Sequence, residues 1–191
     1  NTPTPTATAT PTPTPTNTRR VLTPTPTPTA TSTPTPTATV IPVINSPFIS
    51  TWRTTSSRET VELPYQPDGV YSGVIDWGDG SRRTFLNAYS GRTHSYANPG
   101  TYQVRITGTT FGFSFDNGGT PSQLISINQW GNLRLGNNGG YFRNCVNLNL
   151  SAVSDTLSLF GTTNLSNMFN GCTSLTTVNN MNSWDVSSVT D

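Results

Sequence analysis

The chain has 191 residues, of which only 10% are charged; ten Arg and no Lys face nine carboxylates, for a formal net charge of +1. That balance excludes the basic surface of a nucleic-acid binder. Thr, Ser, Asn and Gly do the solvating, which suits an exported β-rich chain better than a cytosolic enzyme, and no apolar run is long enough to span a membrane.

Residues 1–45 are mainly alternating Thr and Pro, with Arg19 and Arg20 the only charges. Proline fixes φ, removes a backbone donor and pushes the preceding residue toward extended geometry. The tract is therefore expected to be a disordered, polyproline-II-like linker or stalk, with a reach on the order of 140 Å at about 3.1 Å per residue. Its Thr density makes it a candidate for O-glycosylation. The sequence starts inside this tract without an initiator Met, so a segment of a longer protein is expected.

Composition changes at residue 46, and short β-patterned stretches follow to residue 118. Phe48–Trp52 and Glu59–Leu63 read as strands, joined by the turn-rich link Pro64–Gly69 to a hairpin. In that hairpin Val74, Ile75 and Trp77 precede Asp79-Gly80, a favoured pair for a two-residue type I′ turn, with Arg82–Leu86 returning. His94 and Tyr96 share a face. Pro99-Gly100 suits the centre of a type II turn, and Tyr102, Val104 and Ile106 then alternate with polar residues as a half-buried strand does. The predicted core is Trp52, Ile75 or Trp77, Tyr96, Tyr102, Val104 and Ile106. So small a core without an internal Cys predicts modest stability unless the next region packs against it.

The run Asp76-Trp77-Gly78-Asp79-Gly80, followed by His94-x-Tyr96-x-x-Pro99-Gly100-x-Tyr102-x-Val104, resembles the signature of PKD domains, small Ig-like β-sandwiches of extracellular proteins. The family's usual run is Trp-Asp-Phe-Gly-Asp-Gly, so Ile75-Asp76-Trp77 marks a divergent member. The resemblance implies a structural role for these residues. Asp76, Asp79 and His94 are also residue types of a metal or acid–base site, but a single His with no partner at ligand spacing favours the structural reading.

Residues 119–191 carry a hidden period. Phe142, Cys145 and Leu148 recur 27 residues later as Phe169, Cys172 and Leu175, and Trp130 and Trp184 stand 54 apart with Leu157 midway. A fixed period of this size predicts a solenoid whose units each need a neighbour to cover an apolar edge. The stretches Asn167-Met168-Phe169-x-x-Cys172-x-Ser174-Leu175 and Ser183-Trp184-Asp185-Val186-Ser187-Ser188-Val189-Thr190-Asp191 resemble the leucine-rich repeats of BspA-like bacterial surface proteins. Gly136–Gly140 and Ala152–Leu159 are irregular, as in a capping unit. The resemblance implies a secreted or cell-surface bacterial protein engaged in adhesion or protein binding.

Cys145 and Cys172 are expected as two small buried apolar residues, stacked in the core; a disulfide between ladder positions has poor geometry. The sequons Asn149-Leu150-Ser151 and Asn164-Leu165-Ser166 are read as coincidence. An uncovered repeat edge at the C-terminal side predicts self-association.

The expected architecture is thus mostly β: a stalk, a small antiparallel Ig-like sandwich, then the start of a leucine-rich-repeat solenoid. No cofactor and no catalytic set is expected, since Gly-x-Ser-x-Gly, His-Glu-x-x-His and phosphate-loop patterns are missing and His94 is the single imidazole. The leading expectation is a non-catalytic extracellular module that binds a protein or glycan. The alternative is an accessory region of an exported polysaccharide hydrolase or protease, in which aromatics such as Trp52 or Tyr89 could stack on sugars, although core and loop roles are favoured for both.

Overall fold

A computed structural model describes Asn1 and residues 9–12, 46–87 and 89–191. The chain divides into two units, Asn1–Val40 and Ile41–Asp191. The stalk expected over 1–45 lies, apart from Asn1 and residues 9–12, outside the described residues, so the architecture below is that of the second unit.

This unit is mostly β. Its strands are β1 (Phe48–Thr54), β2 (Glu59–Glu62), β3 (Tyr65–Asp76), β4 (Thr84–Leu86), β5 (Thr93–Tyr96), β6 (Gly100–Phe113), β7 (Leu124–Gln129) and β8 (Leu133–Arg134). The main sheet runs β4-β3-β6-β1-β7, and β2 and β5 form a separate ladder. Pairing is antiparallel except where β8 lies parallel to β6. Trp52, Ile75, Val104 and Ile106 of the main sheet and Val61 and Tyr96 of the ladder are fully buried, the arrangement expected when two sheets share a core. The buried Trp52 indole is satisfied locally, its Nε1 donating to Ser50 Oγ at 2.9 Å.

Two strands from beyond residue 118 complete the main sheet. β7 pairs with β1 (Ser50↔Ile127, Thr51↔Ser126) and buries Leu124 and Ile127. Asn132 adds a polar staple: its Oδ1 accepts from Phe48 N at 2.8 Å, and its Nδ2 donates to Gly108 O. Phe113 joins the sheet core to the repeats, its ring lying 5.4 Å from Phe48 and 5.7 Å from Phe142. One continuous apolar cluster therefore runs from Phe48 to Trp184.

Three local expectations are corrected. Pro64–Gly69 is not a link between strands. Most of it lies within β3, where the pairing with β6 jumps from Tyr65↔Phe113 to Val70↔Phe111 across an irregularity. The Tyr71 hydroxyl fixes it, accepting from Gln66 N and bonding Gly112 O, each at 2.6 Å, while the Tyr71 ring stacks on Tyr65 at 4.3 Å. Asp79-Gly80 is not a two-residue turn: β3 and β4 are joined by residues 77–83, and Asp79 is not in the left-handed region although Gly78 (φ 77°) and Gly80 (φ 78°) are. Side-chain caps decide this, for Asp76 Oδ1 accepts from Gly78 N and Asp79 Oδ1 from Ser81 N. Pro99-Gly100 is not a type II turn either. Gly100 lacks positive φ and opens β6 opposite Thr54, its N–H bonded to Thr54 Oγ1 at 3.1 Å.

Candidate functional site

The signature residues gather at one end of the sheets. Trp77, released from β3 by the Asp76 turn, buries its ring and donates Nε1–H to Thr84 Oγ1 at 2.8 Å. His94 on β5 stacks on it, ring centroids 4.9 Å apart and planes 14° apart. His94 also meets Tyr96 edge-on at 4.7 Å, and Tyr96 stacks on Tyr102 at 3.9 Å. The Tyr96 hydroxyl donates to Trp77 O at 2.8 Å, and the Tyr102 hydroxyl to Asn98 O at 2.7 Å beside Pro99. Gly78 has φ 77°, and a Cβ built there would collide with Gln103 O, so only glycine fits between loop and β6.

Asp79 closes the cluster, its Oδ2 lying 2.7 Å from His94 Nε2. Burial acts to raise the Asp79 pKa, but hydrogen bonds from Ser81 and His94 outweigh it and hold the group at about 2. The carboxylate is thus an anion that orients the imidazole. Ser81 bonds to Asp79, its N–H donating to Oδ1 at 2.9 Å. Asp76 turns away to Arg83 at 3.1 Å. Among the described residues no three His, Cys, Asp or Glu side chains come together as a metal site would require. This geometry locks a loop onto two sheets.

The repeat residues lie elsewhere and form their own register. Phe142, Cys145 and Leu148 are fully buried; Phe169, Cys172 and Leu175 are only half-buried against the same core. The expectation that both cysteines are buried therefore holds for Cys145 and not for Cys172. Both are free thiols. Burial raises the pKa of each, and Cys172 Sγ donates to Phe142 O at 2.9 Å.

Each copy folds into the same turn. Cys145 N bonds Phe142 O and Leu148 N bonds Cys145 O; 27 residues on, Cys172 N bonds Phe169 O and Leu175 N bonds Cys172 O. The left-handed positions match too: Gly140 (φ 55°) with Asn167 (φ 55°), and Asn144 (φ 62°) with Gly171 (φ 79°). The copies lie one on the other. Gly140, Phe142 and Asn144 donate to Ser166, Met168 and Asn170, each at 2.8 Å, and the Phe142 and Phe169 rings stack at 5.7 Å. Trp130 and Trp184, both buried, meet edge to face at 6.3 Å.

Sequence reasoning missed three contributors. Asp155 accepts from Trp130 N (3.0 Å) and Gly131 N (2.8 Å), tying one copy to the next. Its signal was present, since Asn128, Asp155 and Asn182 share one repeat position. Arg143 pairs with Asp116 at 2.5 Å across the junction of sheet and repeats. Phe160, an aromatic 53% exposed, has no counterpart in the pattern. Conversely, Trp52 is wholly buried and cannot stack on a sugar, and Tyr89 is covered by the Arg92 guanidinium 3.7 Å from its ring centroid.

Comparison with known proteins gives no match to any family model, curated protein or solved structure.

Proposed function

We propose that this chain is a non-catalytic module of an exported bacterial surface protein. In this reading the Thr/Pro tract is a stalk, the β-domain is an Ig-like, PKD-type spacer, and the repeats are leucine-rich-repeat coils that display a protein-binding face. The observation that carries it is the stacking of two equivalent turns, 27 residues apart, through backbone hydrogen bonds from Gly140, Phe142 and Asn144 to Ser166, Met168 and Asn170. Units related in this way can be added in series, and their outward side chains make an extended surface. The Asp79–His94 pair supports the same reading, because its bonds are spent on holding a loop.

Removing the repeats is a poor test, since β7 and β8 belong to the sheet. Point substitutions on the exposed repeat surface avoid this. The whole chain, immobilised, is screened against extracellular matrix proteins. Thr176→Arg with Thr177→Arg, both at exposed positions, is expected to abolish saturable binding, and Gln103→Ala on the exposed side of β6 to leave it intact. Binding that ignores the repeat substitutions and follows β6 would sink the display role of the repeats.

A further inference from the structure

The segments 156–161 and 183–188 are equivalent stretches of neighbouring copies, one period apart. Between them lies a cleft of about 530 Å³ lined by both segments. Leu157 lines it, at the repeat position where the flanking copies carry Trp130 and Trp184. The volume falls in the range of small-molecule sites, roughly 300–1,000 Å³.

The chemistry of the walls is selective. Leu157 and Leu159 are buried beneath it, and Phe160 presents a ring that is 53% exposed. Ser158, Ser183 and Ser188 supply hydroxyls that both donate and accept, and Asp185 supplies a carboxylate that only accepts. Arg134 holds both Phe160 and Ser158: its guanidinium lies over one face of the Phe160 ring, 5.3 Å from the centroid, and its Nη1 donates to Ser158 Oγ at 3.0 Å. Among the residues that line the cleft Asp185 carries the charge, and the nearby Arg134 guanidinium is already engaged with Ser158 and Phe160, so a neutral ligand suits the walls better than an anion.

We propose that this cleft binds a neutral saccharide of one or two rings. The apolar C–H face of the sugar lies on Phe160. Its hydroxyls donate to Asp185 and exchange hydrogen bonds with the serines. The proposal deepens the surface-module reading, on which it rests, by assigning a glycan to a site distinct from the surface at Thr176 and Thr177.

The test uses the 191-residue chain and a panel of glucose, galactose, mannose, N-acetylglucosamine, lactose, maltose and cellobiose, with sialyllactose as the anionic counterpart. Binding is read by saturation-transfer NMR and titration. At least one neutral sugar is expected to bind saturably at millimolar concentration or below. Phe160→Ala and Asp185→Asn are expected to weaken it about tenfold or more. Phe85→Ala, which removes an aromatic that is 77% exposed on β4, is expected to change nothing. Both altered cleft residues are exposed, and Asn at 185 keeps the acceptor for Ser187 N, so folding should survive; circular dichroism verifies it. The proposal is overturned if no neutral sugar binds, if binding survives both cleft substitutions, if Phe85→Ala removes it, or if sialyllactose is preferred. Matrix-protein binding that depends on Thr176 and Thr177, with silence from the sugars, would overturn the cleft and leave the surface module standing.

Discussion

Replacing Phe142 and Phe169 separately by alanine measures how unequally two copies of the same repeat residue are used. Phe142 is fully buried and its ring touches three others, Phe113, Trp130 and Phe169, each at 5.7 Å between centroids. Truncation removes the transfer free energy of the ring, about 2 kcal/mol. The cavity left behind, on the order of 70 Å³ at about 24 cal/mol per Å³, adds roughly 1.7 kcal/mol. The sum, about 4 kcal/mol, is a large share of a domain stability of roughly 5–15 kcal/mol. At about 2–4 °C per kcal/mol for a unit of this size, the melting temperature should fall by roughly 8–16 °C. Phe169 is half-buried and, among the described residues, its ring stacks on Phe142. It is in contact with solvent already, so its truncation leaves less cavity and should cost about 1–2 kcal/mol. Urea unfolding followed by tryptophan fluorescence gives both numbers, since Trp130 and Trp184 sit beside the site. Equal costs for the two substitutions would refute the unequal covering of the copies. A loss below about 1 kcal/mol for Phe142→Ala would refute its place at the junction of sheet and repeats.

Acid should destabilise the unit through particular groups. Asp79 is held at about 2 against an ordinary 3.8, and Glu59 at about 2 against 4.5, the latter chiefly by the backbone N–H groups of Thr55 and Ser56 and then by Gln123. Both folded values lie below the unfolded ones, so their contribution is complete above about pH 5 and is lost as pH falls toward 2. Urea midpoints measured from pH 6 to pH 2 should decline, and Asp79→Asn should decline less steeply; parallel curves would remove Asp79 from the account. At the left-handed position shared by Asn144 and Gly171, Asn144→Gly should be near neutral, whereas Asn144→Val should cost about 1–2 kcal/mol in the same unfolding assay; equal effects would argue against the backbone explanation. Thiol labelling followed by mass spectrometry should modify half-buried Cys172 first and leave Cys145 protected until the unit unfolds, and simultaneous labelling would contradict the difference in burial.

Much of this protein could be read from residue order. β1, β2, β5 and the first half of β6 fall close to where the sequence put them; in the last of these the two-residue alternation states directly which face is buried. Trp52, Ile75, Trp77, Tyr96, Val104 and Ile106 are all in the core, and only Tyr102 stays half-exposed. The 27-residue period also survives folding, in paired turns and matched left-handed positions. What failed were the turns. Asp79-Gly80, Pro99-Gly100 and Pro64–Gly69 have the residues of tight turns, yet Asp76, Thr54 and the Tyr71 hydroxyl claim the nearby backbone groups and impose other geometries. Thr54 and Gly112 are distant in sequence from the groups they bind, so local propensity could not weigh them, whereas the Asp76 cap on Gly78 is a local Asx contact that the turn reading passed over.

The sequence by itself determined composition, strand periodicity and repeat register, since each of these is a property of neighbours along the chain or of a constant offset. Only the tertiary structure decided that β7 and β8 complete the sheet, that Phe113 joins its core to the repeats, that Asp155 binds across copies and that Arg143 binds across the junction of sheet and repeats. It also decided which Cys is covered and where a cleft opens. All of these depend on surfaces brought together from far apart, where burial and hydrogen-bond satisfaction are settled by packing and not by the residues on either side.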